Sequence, residues 1–380
     1  MKITVNQQNL AKALSIVGRA VSSRSTMPIL ANVLLEATAD DRLRVVATNR
    51  EISINAWIGA DVEESGSITI PARLLSEFVN SLPPDTIDMD LIQRTLTLHL
   101  NCARFYANMK GIAADDFPLL PTAETVTGYS YTVQPDALKR LIETTTFAAS
   151  TDENRQTLTN VQCVFADGTL QMAATDGFRL SVNKAAATGA AEMTAIVPAR
   201  NLFEVARICA TDDPITVAIG EQRNHVLFAA TGTDSLQRVE VVSELTDVRF
   251  PDYSSIVPKS YNTRTTVPAD VLKKAVEMAL LFARDSSNII RLAAAGESLT
   301  VTGDSPETGG NVGKLDARTN GEPIDIALDG RFVKQYLETA KGAIVTIETT
   351  QPTRPAAFRV LHDDVTADKD YTHVIMPMHR

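Results

Sequence analysis

Cysteine is scarce in this chain of 380 residues, and the three present make no recognisable pattern. Cys102, Cys163 and Cys209 lie far apart and form no CxxC, so neither a disulfide framework nor a cysteine-built zinc site is indicated. Cys163 alternates with Val161 and Phe165 and reads as a buried thiol, which points to a reducing, cytoplasmic setting. Aromatic residues make up only 5%, with Trp57 the sole tryptophan, too few for a platform that stacks single-stranded bases. No run approaches the roughly 18 apolar residues of a membrane helix. The opening MKITVNQQNL lacks an apolar signal segment, so no membrane association is expected.

Catalytic and cofactor motifs are equally sparse. His99, His225, His362, His373 and His379 form neither HxxxH nor HExxH, which leaves a zinc site nothing to start from. GxSxG, GxxxxGK[ST] and GxGxxG do not occur, and no cofactor or metal is expected. The Gly-rich TGDSPETGGNVG from Thr302 reads as a loop between strands. The Asp-Asp pairs at 40–41, 115–116, 212–213 and 363–364 read as solvated turn residues, and Asp88 and Asp90 as the exposed face of a strand. The alternative to a non-catalytic protein is a metal-dependent nuclease or hydrolase that uses such pairs on a repeat scaffold. An oligomeric scaffold that does not touch DNA is a third reading.

What the chain does contain is internal repetition. TVNQQNLAKALSIV from Thr4, TVQPDALKRLIETTTFA from Thr132 and TVPADVLKKAVEMAL from Thr266 each read as a strand leading into a helix. Val5, Val133 and Val267, spaced by 128 and 134 residues, are each followed five positions later by Leu10, Leu138 or Leu272. Leu14, Ile142 and Val276 come four residues further on, which places each pair on one helical face. Alternating strands follow each helix: Val161/Cys163/Phe165, Leu170/Met172/Ala174 and Phe178/Leu180/Val182 are joined at Asp167-Gly168 and Asp176-Gly177, a strong hairpin signal. Each copy then repeats the plan internally: SITIPARLLSEFV, VPARNLFEVARI and LDGRFVKQYLETA begin second strand–helix units, with Ile70, Val197 and Leu328 lying 65, 64 and 61 residues after their counterparts. The Pro-containing segments from Asp115 and from Phe250 fall between copies as stiff connectors. The expected architecture is therefore α+β: three tandem domains over 1–124, 129–258 and 262–380, each two βαβββ half-units with antiparallel sheets on one side of the helices.

Charge is uneven. The net charge of −10 argues against nucleic acid when taken alone. Yet the helical windows 9–25, 71–82, 136–150, 198–209, 269–285 and 331–341 hold 14 Lys and Arg against 8 Asp and Glu, a surplus of +6 that leaves −16 for everything else. Such a chain attracts a polyanion on one surface and repels it elsewhere. Helices pack about 8–10 Å apart; six in a closed circle leave no lumen, whereas twelve span roughly 35 Å across their axes, room for a duplex. A ring around DNA thus requires at least two copies.

Ala174-Thr175-Asp176-Gly177-Phe178-Arg179-Leu180, the Phe250-Pro251-Asp252-Tyr253 linker and the ending Val374-Ile375-Met376-Pro377-Met378 together resemble the bacterial sliding clamps, the beta subunits of DNA polymerase III, across the whole chain. The resemblance implies a dimeric, head-to-tail ring with helices inside and sheets outside. Such a ring encircles duplex DNA without reading its sequence. It also implies a pocket that tethers the polymerase III alpha subunit, the clamp loader and repair proteins through short linear peptides. Carried over by position, the pocket is lined by Leu158, Thr175, Gly177, Phe178, Arg179, Leu180, Pro251, Ile256, Phe332, Pro355, Val374, Met376, Pro377 and Met378. DNA contacts fall on Arg24, Arg73, Arg155, Arg200, Lys12 and Arg19, and the subunit contact joins Phe105 to Leu281 and Phe282. Phe178 stands where relatives commonly have histidine, and His379-Arg380 replaces a basic residue followed by leucine.

Overall fold

A computed structural model describes residues 1–22, 27–126, 128–189, 191–222, 224–233, 236–284, 287–361 and 366–378. Helices α1 (Gln7–Val17), α2 (Ala72–Ser81), α3 (Pro135–Thr145), α4 (Ala199–Ile208), α5 (Ala269–Ala283) and α6 (Gly330–Thr339) fall where the repeat places them. Each follows a strand and precedes three more, and an additional short strand, Arg318–Gly321, follows the fifth set. Two kinds of residue start the helices. Pro71, Pro198 and Pro268 stand at the N-cap of α2, α4 and α5. At α1, Asn6 accepts from the backbone N–H of Gln8 at 2.9 Å, and at α6 Asp329 accepts from that of Arg331 at 2.9 Å. The buried stripes match the spacing argument: Leu10, Leu14 and Val17 on α1, and Leu272, Val276 and Ala279 on α5.

Two local expectations are corrected. The first helix stops at Val17 and tightens to a 3-10 turn over Gly18–Ala20, short of the 9–25 window. The Gly-rich segment from Thr302 is mostly not a loop but the facing arms of a hairpin, Ser298–Ser305 and Gly309–Asp316. Its glycine has a packing reason: a Cβ on Gly303 would lie 2.1 Å from the carbonyl oxygen of Ala279, so α5 can approach this strand only because no side chain intervenes.

The chain divides into two compact units, residues 1–139 with 186–246 and residues 140–185 with 247–380. In the first unit the long strand Ile52–Glu64 changes partners along its length. Residues Ala60–Glu64 pair with Lys2–Asn6, whereas Ile52–Trp57 pair with both Arg42–Thr48 and Leu236–Glu244. The ladder from Ile52↔Ser243 to Trp57↔Arg238 thereby stitches the first repeat to the second. Trp57 lies 5.7 and 5.6 Å from the guanidiniums of Arg44 and Arg238. Arg238 also holds the fully buried carboxylate of Glu240 at 2.5 Å, whose pKa is raised by burial against the pull of Arg238. The connector after the first repeat is pinned to this sheet. Ala123 and Val126 pack on Leu227 and Val242, and the Ala123 N–H donates to Glu240 at 3.4 Å.

In the second unit, one sheet runs through Arg179–Gly189, Thr372–Ile375, Ala356–Leu361, Ile344–Thr349, Thr263–Pro268 and Arg318–Gly321 in that order. Its inner face, with α5 and α6, builds a core around Tyr336, Phe358, Tyr371 and Val345. A separate four-stranded sheet contains the hairpin that Gly303 belongs to. His373 is fully buried in this core, stacked 5.3 Å from Tyr336 with the tilted Phe147 ring 5.1 Å away, and neither ring nitrogen has a hydrogen-bond partner among the described residues. Burial, aided by the nearby Arg179 charge, holds its pKa well below 6.5.

Two outcomes follow from this packing. Gly303→Ala drives a methyl group into the α5 backbone, and its chemical-denaturation midpoint falls by the equivalent of about 1–3 kcal/mol. For His373 the folded chain excludes a proton that the unfolded chain accepts near its ordinary pKa of 6.5, so wild-type stability is full above that pH and declines as pH falls below it. The slope reaches at most about 1.4 kcal/mol per pH unit. His373→Phe keeps the ring stack and removes this term, so urea midpoints measured from pH 7 to pH 5 fall less steeply in the variant.

Candidate functional site

The turn after strand Thr169–Thr175 is built by the side chains of the Ala174–Leu180 motif. Asp176 Oδ1 accepts the N–H groups of Phe178 at 2.9 Å and Arg179 at 3.0 Å, while Oδ2 takes Arg179 Nε at 2.9 Å. Thr175 Oγ1 donates to the Arg179 carbonyl at 2.6 Å and accepts the Gly177 N–H at 3.0 Å. Gly177 adopts φ 91°, a conformation only glycine takes without strain. A Cβ there would also lie 2.9 Å from Arg155 Nη2 and 3.9 Å from Leu158 Cδ1, which places both of those residues beside the turn. The turn directs Phe178 outward, where it remains 51% exposed.

Arg179 is 7% exposed and fully committed. Nη2 donates to the Phe147 carbonyl at 2.6 Å, Nη1 donates to Gln335 Oε1, and the guanidinium lies 4.5 Å from the Phe332 ring. Burial lowers its pKa and Asp176 opposes that shift; a guanidinium this well paired stays charged.

Beyond the turn the strands supply an apolar floor. Leu180 pairs with Val374, and Val374 with Ala357. Val182, Tyr253, Ile256 and Val257 pack onto these three. Gln171 Nε2 donates to the Tyr253 hydroxyl at 3.0 Å, which fixes the 250–257 segment over the sheet. The chain end is tied on both sides, the Met376 N–H donating to the Phe178 carbonyl and the Met378 N–H to that of Ala327, each at 2.9 Å. Met376, Pro377 and Met378 stay half-buried. Thioethers in such a position adapt to differently shaped apolar partners.

Of the residues expected in the pocket, Leu158 and Gly177, Thr175 and Arg179, Arg179 and Phe332, Phe178 and Met376, and Leu180, Ile256 and Val374 are brought together in these groups. Pro251 and Pro355 are half-buried on flanking segments, without a described contact to the others. Sequence reasoning missed Asp176, the anchor of the turn, although it stands inside the quoted motif. It also left out Tyr253, Val257 and Ala357; Arg155, expected among the DNA contacts, lies against Gly177.

The expected DNA-contacting cations are dispersed. Lys12 is exposed on α1, and Arg24 lies outside the described residues. Arg73 pairs with Glu77 at 2.7 Å, Arg19 with Glu204 at 3.7 Å, and Arg200 with Glu51. Glu77 and Glu204 are already counted in the +6 of the helical windows, so of these three carboxylates only Glu51 lowers that surplus further. At the expected subunit contact, Phe105 is 53% exposed at the start of strand Phe105–Lys110, and Leu281 is 62% exposed on α5 next to half-buried Phe282.

Comparison with known proteins gives three successive matches along the chain. Family models for the DNA polymerase III beta subunit match its N-terminal domain at residues 1–121, its central domain at 132–252 and its C-terminal domain at 254–379. The beta sliding clamp of Synechococcus elongatus is 32% identical over 386 residues, covering 100% of this chain and 99% of that protein. That of Bacillus subtilis is 30% identical over 377 residues, covering 96% and 97%. The crystal structure of the Bacillus subtilis DNA polymerase sliding clamp superposes with a TM-score of 0.90 at 29% identity, covering 100% of this chain and 99% of that one. The DNA polymerase III beta subunit of Pseudomonas aeruginosa superposes with 0.89 at 25%, covering 100% of both. These likenesses give the nuclease or hydrolase alternative no support. The chain belongs to the DNA polymerase III beta subunit family, the three-domain bacterial sliding clamps, non-catalytic processivity factors of DNA replication.

Proposed function

We propose that two copies of this chain close head to tail around duplex DNA, and that the cleft formed by Phe178, Leu180, Val374 and the terminal methionines captures linear peptides of the polymerase III alpha subunit, the clamp loader and other DNA-processing proteins. The observation that carries the ring is a pattern of paired and unpaired strands. The last strand of each first half-unit is Ile52–Glu64, Arg179–Gly189 or Gly309–Asp316; of each second half-unit, Phe105–Lys110, Leu236–Glu244 or Thr372–Ile375. Ile52–Glu64 pairs with Leu236–Glu244, and Arg179–Gly189 with Thr372–Ile375, so each junction joins a first half-unit to the second half-unit of the next repeat. The two strands left over, Phe105–Lys110 and Gly309–Asp316, each have a ladder on one side only among the described residues. Val312 on the latter is 62% exposed, and Phe105 and Tyr106 on the former are exposed as well. Continuing the rule pairs the third repeat of one copy with the first repeat of another, and a second such junction closes the assembly.

Enclosure changes what the DNA contacts must supply. A closed ring dissociates by opening rather than by breaking phosphate contacts, so Lys12, Arg19, Arg24, Arg73, Arg155 and Arg200 can act as weak, sequence-independent partners of the backbone, with Arg155 also placed at the rim of the cleft. Three buried cysteines outside any disulfide suit a cytoplasmic protein, and the Cys163 thiol is pushed up to about 12 by burial, which keeps it unreactive.

The ring is tested by topology. The protein is retained on nicked circular duplex after loading and slides off once the circle is cut. Phe105→Glu and Val312→Glu give folded monomers by sedimentation and lose this retention; a monomeric wild type at micromolar concentration would sink the proposal. The cleft is tested separately: a chain lacking Met376–Arg380 still dimerises but loses binding of a polymerase-derived peptide in fluorescence anisotropy, and an unchanged affinity would refute the assignment.

A further inference from the structure

The apolar floor is one end of a longer row. Leu180↔Val374, Val374↔Ala357, Ala357↔Glu348 and Glu348↔Arg264 are directly opposed pairs on neighbouring strands, so these five side chains share the sheet's outer face. The row changes character as it crosses the sheet, from apolar at Leu180 to charged at Arg264. Arg359, two residues beyond Ala357, faces the same way. Glu348 holds both guanidiniums, Arg264 at 2.6 Å and Arg359 at 3.2 Å, and Tyr261 backs Arg264 with its ring 4.6 Å away.

At this charged end lies a cavity of about 510 Å³ lined by Lys259, Arg264, Arg359 and Lys369 together with Glu348 and Asp368. Asp368 is committed elsewhere: its carboxylate accepts the N–H groups of Asp370 and Tyr371 and pairs with Arg140 at 3.2 Å. Lys259 and Lys369 are exposed, with no carboxylate partner among the described residues. On a chain of net charge −10, this described lining therefore carries a local positive surplus. Arg264 and Arg359 already share Glu348, which leaves the exposed Lys259 and Lys369, on two different segments, as the cations open to a partner, an arrangement that suits carboxylates spaced along an extended chain.

We propose that this cavity is a second docking site for the peptides that enter the apolar cleft, and that it receives an acidic stretch of the same partner. The inference rests on the cleft reading given above. From Leu180 to Arg264 the row crosses four strand intervals, roughly 19 Å at about 4.8 Å each, a span that about six extended residues cover. The partner class is thus a linear segment with apolar anchors and, about six residues away, clustered aspartate or glutamate. The 250–261 segment contributes to both sites: Ile256 and Val257 pack on the floor, and Pro258 and Tyr261 line the cavity.

Fluorescence anisotropy on the full chain tests this with three dye-labelled peptides: the polymerase's clamp-docking segment alone, the same segment with an aspartate-rich extension after a six-residue spacer, and the same with an uncharged extension of equal length. The acidic extension is expected to tighten binding about tenfold at low salt, with most of that gain lost on adding salt, and the uncharged one to change nothing. Lys259→Glu combined with Lys369→Glu is expected to abolish the gain while leaving the unextended peptide unaffected. Equal binding of the two extended peptides, or an undiminished gain in the double variant, overturns the second site and leaves the cleft standing. Failure of the unextended peptide to bind wild type removes the cleft reading, and this inference with it.

Discussion

The ion pair of Asp176 and Arg179 is the contact on which the proposed peptide cleft depends. Both side chains are nearly buried, so their attraction must offset a large loss of hydration. Extra hydrogen bonds make that possible: the carboxylate also accepts two backbone N–H groups, and the guanidinium reaches the Phe147 carbonyl and Gln335. Removing either partner would strand the other as an unpaired buried charge, typically a cost of about 3–5 kcal/mol. The pair therefore works as a fixed joint. It sets the turn that projects Phe178, aligns Leu180 with Val374, and ties the turn to α6 and to the segment after α3. Rigidity in the turn is matched by adaptability at Met376 and Met378, so a cleft with a fixed floor has a compliant wall.

The same logic of satisfied and unsatisfied backbone runs through the whole chain. Strand edges are costly to leave open, and two repeat-to-repeat ladders within one copy close four of the six strands that end the half-units. The other two, each with a ladder on one side only among the described residues, carry Phe105, Tyr106 and Val312 outward, yet Lys110 and Lys314 stand on the same strands, charges that discourage indiscriminate edge pairing. Selective association between copies is what such edges are suited to.

How far the sequence revealed this differs by level. Helices and hairpins were legible because each depends on short-range periodicity: Leu10/Leu14 and Leu272/Val276 are buried as spaced, and the Asp167-Gly168 turn has positive φ at both positions. The junction ladders were not, because alternation tells which face of a strand is buried and says nothing of which strand lies alongside. Ile52–Trp57 reads as a strand with or without Arg238–Ser243 beside it. The cleft was legible only as a motif. Its residues come from segments as far apart as Leu158 and Met376, and the quoted motif did not show that Asp176 would turn inward while Phe178 turned out. The neighbourhood of Arg155 was hidden for a related reason, since its position in the chain is a loop after a helix and only the fold brings it to Gly177. Buried polar groups were least legible of all. Glu240 and His373 look like ordinary alternating strand positions, and their partners, or lack of them, are tertiary facts.

The paired cations on the helices bear on how such a protein can hold DNA without arresting it. Arg19, Arg73 and Arg200 each have a carboxylate within reach, so at these proposed contacts a phosphate would compete with Glu204, Glu77 or Glu51 for the same guanidinium. Each contact then gains less than an unencumbered arginine would, because part of its charge is already neutralised before DNA arrives. For a protein that binds by affinity alone this would be a defect. In the proposed ring, retention comes from closure, and shallow contacts lower the barrier to moving from one phosphate to the next. Local neutralisation and topological enclosure therefore support each other: the first permits sliding, and the second makes weak binding sufficient.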